Sequence, residues 1–265
     1  MNIIKKITKS KYRGVLIGIL IIGIYYWAIR GTETNLNSLV KGLPFMWDFI
    51  SRMFPPDFSN IRLFLLKTVE TLQMAILGSS IGALTAFSLS FFAARNINHN
   101  KIIYHFIRTI FDVCRGINEV VWGLIFVSMV GLGPFPGVLA LSVHVTGALG
   151  RYFSETIESV NPETIKAIIS TGANKVQLIF RGILPEVKPN FINYSFYYLE
   201  NNFRAATVLG LVGAGGIGME LLTSMKLFKT REVLTILIIM VAVVILIDRL
   251  SAYIRKKVLK LENIQ

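Results

Sequence analysis

The stretch Leu209–Leu222, LGLVGAGGIGMELL, decides the fold, because it supports two incompatible readings. Gly213, Gly215 and Gly218 form a complete G-x-G-x-x-G between an apolar run and a helix-like run. In a soluble α/β protein that pattern opens a dinucleotide site. Such a site needs a βαβ unit and an acidic residue about 20 positions further on. Here that region reads VLTILIIMV, with no acid, and Glu232 heads the next apolar run. No second βαβ half appears, and no G-x-x-x-x-G-K-[ST] occurs. The other reading is that Gly213, Gly215, Gly216 and Gly218 break and turn a membrane helix, where small residues let backbones approach closely.

Composition favours the second reading. The chain has 265 residues, 53% hydrophobic and only 16% charged, with a formal net charge of +13. Soluble domains carry about 25% charged residues. The basic residues cluster beside long apolar runs, which argues for charge at a membrane surface and against a nucleic-acid partner. The single cysteine, Cys114, excludes an internal disulfide and any cysteine-based metal site. His99, His105 and His144 have no metal-ligand spacing, so no metal or cofactor is expected on this chain.

A bilayer is crossed by about 20 mostly apolar residues. Six runs are read as spans: Gly14–Ile29, about 68–93, about 104–130, about 138–149, about 190–212 and 233–247. The first follows a basic segment and ends in Tyr25-Tyr26-Trp27, which suits a retained helix with an interfacial aromatic belt. Lys and Arg number five in residues 1–14, three in 94–108, five in 151–190 and five in 249–265. The alternate connections hold seven. The bias predicts six spans with both termini cytoplasmic. The expected fold class is therefore all-α, a polytopic helical bundle. Its organisation is expected as residues 1–66 (first helix and outer segment), 67–257 (core) and 258–265 (tail).

Residues 151–190 are polar and punctuated by Pro162, Gly172, Gly182, Pro185 and Pro189. Two short amphipathic helices are expected there, at about 162–171 and 175–181, outside the bilayer. KAIISTGANKVQLIFRGILPEVKP resembles the coupling motif of ABC importer permeases: E-A-A, three residues, Gly, nine residues, I-x-L-P. Ala167, Gly172, Leu184 and Pro185 match. Lys166, Ile168 and Gly182 depart from the pattern. A narrower likeness is to the phosphonate-uptake branch of these permeases, carried by STGANKVQLIFRGILPE, ENNFRAATVLGLVGAGGIG and DVCRGINEVVWGLIFVSMVGLGPFPGVLAL.

The resemblance covers about residues 68–257. It implies the type I importer fold in a bacterial inner membrane and a permease that is not itself an enzyme. It also implies a cytoplasmic ATPase that binds the ATP, an extracytoplasmic phosphonate-binding protein and a second permease copy, most simply a homodimer. Coupling residues would be Ala167, Thr171, Gly172, Ala173, Gln177, Leu184 and Pro185, with Lys175 and Arg181 at the rim.

Ionisable groups inside spans are costly and mark function by default. Arg108, Asp112, Arg115 and Glu119 are spaced four, three and four, which on one continuous helix puts them on one face as a polar gate or as mutual ion pairs. Glu200 and Arg204 can pair at i,i+4, and Arg204 with Asn201 is the leading candidate for lining the pathway. His144 is expected to be a helix-packing hydrogen-bonder. The same intramembrane acids, Asp112, Glu119 and Glu200, would suit an ion-coupled secondary transporter, which lacks support from any visible inverted repeat.

Overall fold

The structure, a computed structural model, describes residues 2–32 and 36–262, with side chains described for 17–32, 37 and 39–257. The basic side chains expected to flank the first span, Lys5 to Arg13, and those of the 258–265 tail lie outside the described residues. Every described element is helical: α1 (Asn2–Gly31), α2 (Leu36–Met53), α3 (Ile61–Ser90), α4 (Lys101–Gly116), α5 (Glu119–Val130), α6 (Pro134–Glu158), α7 (Pro162–Ser170), α8 (Lys175–Leu178), α9 (Leu184–Leu211), α10 (Gly216–Lys226) and α11 (Thr230–Glu262). The chain separates into two units, Met1–Arg52 and Met53–Gln265.

The first unit is α1 and most of α2. From Ile17 onward α1 exposes a run of large apolar side chains that includes Tyr25, Tyr26 and Trp27 and ends at Ile29. Arg30 donates to the Tyr26 hydroxyl at 3.2 Å and lies 5.5 Å over its ring. Helix α2 is one 18-residue helix that continues through Pro44.

In the second unit, α6 is the central element and packs against α3, α4, α5 and α9. Among the described residues, three stretches are long and apolar enough to span: Ile61–Ser90, Lys175–Lys226 and Thr230–Lys257. Counted as one broken span, the bent pair α4 and α5 makes a fourth. Helix α6 is less greasy because most of its surface meets protein and not lipid. One end of the core gathers Val145, Leu149, Phe153, Ile157, Ile183 and Phe191. The other gathers Met74, Leu141, Phe203, Ala206, Leu209 and Ala214.

Two expectations are corrected. The third apolar run is not one helix, since α4 and α5 meet at 90° around Ile117 and Asn118. Asn118 caps α5 by accepting from the Val120 N–H at 2.9 Å. Side chains across the bend and from another helix take up freed carbonyls: Trp122 donates to Cys114 O at 3.1 Å, and His144 Nδ1 lies 3.3 Å from Ile117 O. Broken backbone is tolerated at membrane depth when it is satisfied in this way. The second short helix is likewise not separate. A π-helical turn, Ile179–Ile183, joins α8 directly to α9. Pro185 has no N–H to donate, so it suits the start of α9.

The glycine loop turns α9 into α10. Gly213, Gly215 and Gly216 adopt φ of 97°, 74° and 68°, which disfavour side chains. A Cβ at Gly218 would collide with the Thr207 carbonyl, and one at Gly210 would sit 2.6 Å from Gly215 O. Gly218→Ala is therefore expected to cost about 1–3 kcal/mol by overpacking, read as a lower Tm of the detergent-solubilised protein. An unchanged Tm would show that α10 can move away from α9.

Candidate functional site

The predicted site residues fall into four separate places. At the turn into α10, the Glu70 carboxylate accepts from the Gly216 N–H at 3.0 Å, and the Thr71 hydroxyl accepts from the Ile217 N–H at 2.9 Å. Lys67 pairs with Glu70 at 2.7 Å. A helix N-terminus with free N–H groups is what would bind a phosphate. Here a side chain of α3 already occupies it, which removes the dinucleotide reading. Gly215, Gly216 and Gly218 are buried, and Gly213 is half-buried with its carbonyl accepting from Gly133 at 3.0 Å.

At the α7–α8 segment nothing in α7 is fully buried. Asn161 caps α7 by accepting from Glu163 at 2.9 Å. Gly172, at φ 79° with open space around it, terminates α7 in the left-handed region. Its N–H reaches Ile169 O at 3.0 Å. Asn174 and Gln177 form a reciprocal capping box, each backbone N–H donating to the other side chain at 2.9 Å. Gln177 thus uses its carbonyl oxygen within its own helix. Ala167, Thr171, Gly172, Gln177 and Pro185 are exposed, and Ala173 and Leu184 are half-buried. Ile169, Val176 and Phe180 add an exposed apolar face that sequence reasoning did not single out.

Two of the three motif departures, Ile168 and Gly182, have a shared physical explanation. A Cβ at Gly182 would strike the Ile168 side chain, which lies against it. The pattern's large residue and small residue have exchanged places between these two contacting positions.

Arg108, Asp112 and Arg115 of the third run stay together on α4, and the break carries only Glu119 away from them, onto α5. Arg108 turns to Glu158 at 2.7 Å. Arg115 holds Asp112 Oδ1 at 3.1 Å, and Arg151 of α6 lies 3.8 Å from Asp112 Oδ2. Glu119, now at the head of α5, lies 3.8 Å from His144 Nε2. Asp112, Arg115, Gly116, His144, Ala148, Tyr152 and Tyr198 line a cavity of about 280 Å³ between α4, α6 and α9. It sits near the middle of α6 and of α9. Arg151, Tyr152 and Tyr198 were not singled out from sequence, because their relevance depends on the break that brings α4 back to α6.

Helix α9 presents a different face to α11. Glu200 pairs with Arg204 at 3.3 Å, as the i,i+4 spacing anticipates. The pair extends into a ladder: Arg204 reaches Asp248 at 3.5 Å, and Arg255 reaches Glu200 at 3.6 Å. Arg204 and Asp248 remain 44% and 40% exposed, too polar for contact with lipid tails. Asn201 is half-buried beside them. Asn202 is buried and donates to Ser79 Oγ at 2.8 Å, tying α9 to α3.

An all-helical bundle with an exposed two-helix segment at one end and charge-lined surfaces within its spans defines a membrane transport subunit. The chain belongs to the family of binding-protein-dependent transport system inner membrane components, which it matches over residues 86–260. It is similar to the phosphite transport system permease protein PtxC of Stutzerimonas stutzeri, 36% identical over 242 residues, covering 91% of this chain and 86% of that one. It is also similar to the phosphate-import permease protein PhnE of Mycolicibacterium smegmatis, 31% identical over 230 residues, covering 87% of this chain and 43% of that one. The fold matches the inward-facing MetNI methionine ABC transporter with a TM-score of 0.66 at 21% identity, over 76% of this chain and 99% of that one. The protein is thus a multi-pass inner-membrane permease subunit with the type I ABC importer fold, and the secondary-transporter reading falls away.

The Glu70 cap gives a direct test of the turn. Glu70→Ala is expected to lower stability by about 1 kcal/mol, the usual worth of an N-terminal cap. Glu70→Gln should recover part of it, because the amide oxygen still accepts. Equal Tm values for both variants and the wild type would assign the turn to Thr71 and packing alone.

Proposed function

We propose that this chain forms the translocation pathway of an ATP-driven importer for a phosphonate or a related phosphorus oxyanion. The carrying observation is the α4–α6–α9 cavity. There a half-exposed carboxylate, Asp112, lies between two guanidiniums, beside an imidazole and two phenols. A phosphorus oxyanion is bound by that same donor set, since guanidinium forks match its oxygens. The names of the two relatives support the substrate class. The half-exposed Arg204, with Asn201, is a second polar surface for a passing anion.

The family and the charge distribution support the remaining parts of the reading. Both termini and the α7–α8 segment lie on the cytoplasmic side by the Lys and Arg bias. An ATPase subunit docks on α7–α8 through the apolar Ile169, Val176 and Phe180 and the close approach permitted at Ala167, Thr171, Gly172 and Ala173. ATP binds to that partner and no cofactor binds to this chain. A binding protein delivers the ligand on the opposite face, close to the α9–α10 glycine turn. A second copy of this permease completes the pathway.

The test is uptake of a radiolabelled phosphonate into vesicles that hold the permease, its ATPase and its binding protein. Uptake is expected to require all three and ATP, with phosphite and phosphate competing. Uptake by the permease alone on an ion gradient would overturn the reading. Arg115→Gln is expected to lower uptake about tenfold, the worth of one charge-assisted hydrogen bond. Arg204→Gln should lower uptake while leaving ligand affinity of the binding protein unchanged. Rates equal to wild type would leave these arginines with ion-pairing roles only. Gly172→Asp should abolish ATPase co-purification while the permease still inserts, and normal co-purification would move the docking surface elsewhere.

A further inference from the structure

A second polar cavity lies apart from the pathway residues, at the connection between α3 and α4. Its volume is about 480 Å³, and its lining includes Arg95, His99, Lys101, Tyr104 and His105, with no carboxylate. Arg95 and Arg108 both lie over the buried Tyr104 ring, at 4.9 and 4.6 Å from its centroid. The nearest acid, Glu158, is already committed. It accepts from Arg108 at 2.7 Å and from the Arg95 backbone N–H at 2.8 Å. The Arg95 guanidinium and the Lys101 ammonium have no acidic partner among the described residues. The cavity does not owe this to a bare helix end, because Asn100 already caps α4 by accepting from Ile102 at 2.9 Å.

The surroundings identify the class of ligand. Ile102 and Phe106, next in sequence to the lining residues Lys101 and His105, and Phe92, three residues before Arg95, are 80%, 66% and 53% exposed. A free phosphate would make no use of that apolar rim, whereas a lipid would lay its acyl chains on it. The cavity is at the same end of the bundle as α7, where basic pockets meet the anionic headgroups of a cytoplasmic leaflet. We propose that Arg95, Lys101, His99 and His105 bind the phosphate headgroup of an anionic phospholipid, with its chains over Ile102 and Phe106. The site holds the α3–α4 connection, and through Arg108 and Glu158 the end of α6, at the membrane surface.

Native mass spectrometry of the detergent-purified full chain with phosphatidylglycerol or phosphatidylcholine tests this. Phosphatidylglycerol should be retained preferentially. The double variant Arg95→Gln/Lys101→Gln should lower its retention about thirtyfold, the effect of two interfacial cations. Lys256→Gln/Lys257→Gln removes the same charge from an exposed part of α11 and should leave retention unchanged. Equal losses in the two double variants would reduce the effect to net charge and overturn the site. So would equal retention of phosphatidylcholine, or displacement of the lipid by inorganic phosphate that is itself retained. Loss of ATPase co-purification in the Arg95/Lys101 variant, with lipid retention intact, would assign the cavity to the partner protein instead.

Discussion

The close seating of α3 on α6 is the contact on which the other helix positions depend. Lipid tails are as apolar as leucine, so helices in a bilayer gain little from burying apolar surface against one another and must gain from intimate packing. Gly78 and Gly82 supply it. A Cβ at either position would lie 2.6 Å from the Cβ of Leu141 or Val145. Thr85 and Thr146 close the same seam with hydroxyls 2.6 Å apart. The opposite side of α6 repeats the device toward α4. A Cβ at Gly147 would lie 2.7 Å from Phe111 O, and one at Gly150 would enter the Phe111 ring. With α4 held this close, Asp112 and Arg115 come within reach of Arg151, His144 and Tyr152.

This dependence explains what the sequence could and could not disclose. Helices α3 and α11 are legible because their apolar runs face lipid, and lipid selects for composition alone. Helix α6 is only half legible, since protein neighbours allow it glycine, serine and histidine. The break between α4 and α5 is hidden inside a continuous apolar run whose charges, at spacings of four, three and four, fit one helix equally well. What decides it is satisfied across the bend, by Trp122 on Cys114 O, and from another helix, by His144 near Ile117 O. A local signal did exist. Gly116 followed by Asn118 and Glu119 reads as a helix stop and then a capped start. The Glu200–Arg204 pair was legible as i,i+4, but its partners Asp248 and Arg255 lie on another helix.

Motif matching has a similar limit. Position by position, Ile168 and Gly182 are two departures from the coupling pattern, and together they are one compensated contact. A large and a small residue still meet across this pair, with their places exchanged, and a core tolerates exchanged sizes better than a changed sum. The G-x-G-x-x-G errs in the other direction, matching a nucleotide pattern perfectly while serving a turn. The difference lies outside the motif, in Glu70, whose carboxylate satisfies the N–H groups that a phosphate would otherwise take.

The charges within the bundle are arranged in compensating sets. Arg115 and Arg151 meet Asp112 and Glu155, and Arg204 and Arg255 meet Glu200 and Asp248. The excess positive charge of the chain therefore resides mainly in the connections and termini. An anion that enters the α4–α6–α9 cavity cannot simply add to free arginines. It must take the place of Asp112, so its gain is the difference between two similar charge-assisted interactions. Such an exchange favours neither state strongly. That suits a conduit, where an anion must be held well enough to enter and loosely enough to leave. Tight selection then has to reside elsewhere, which is the role a separate binding protein performs in this family.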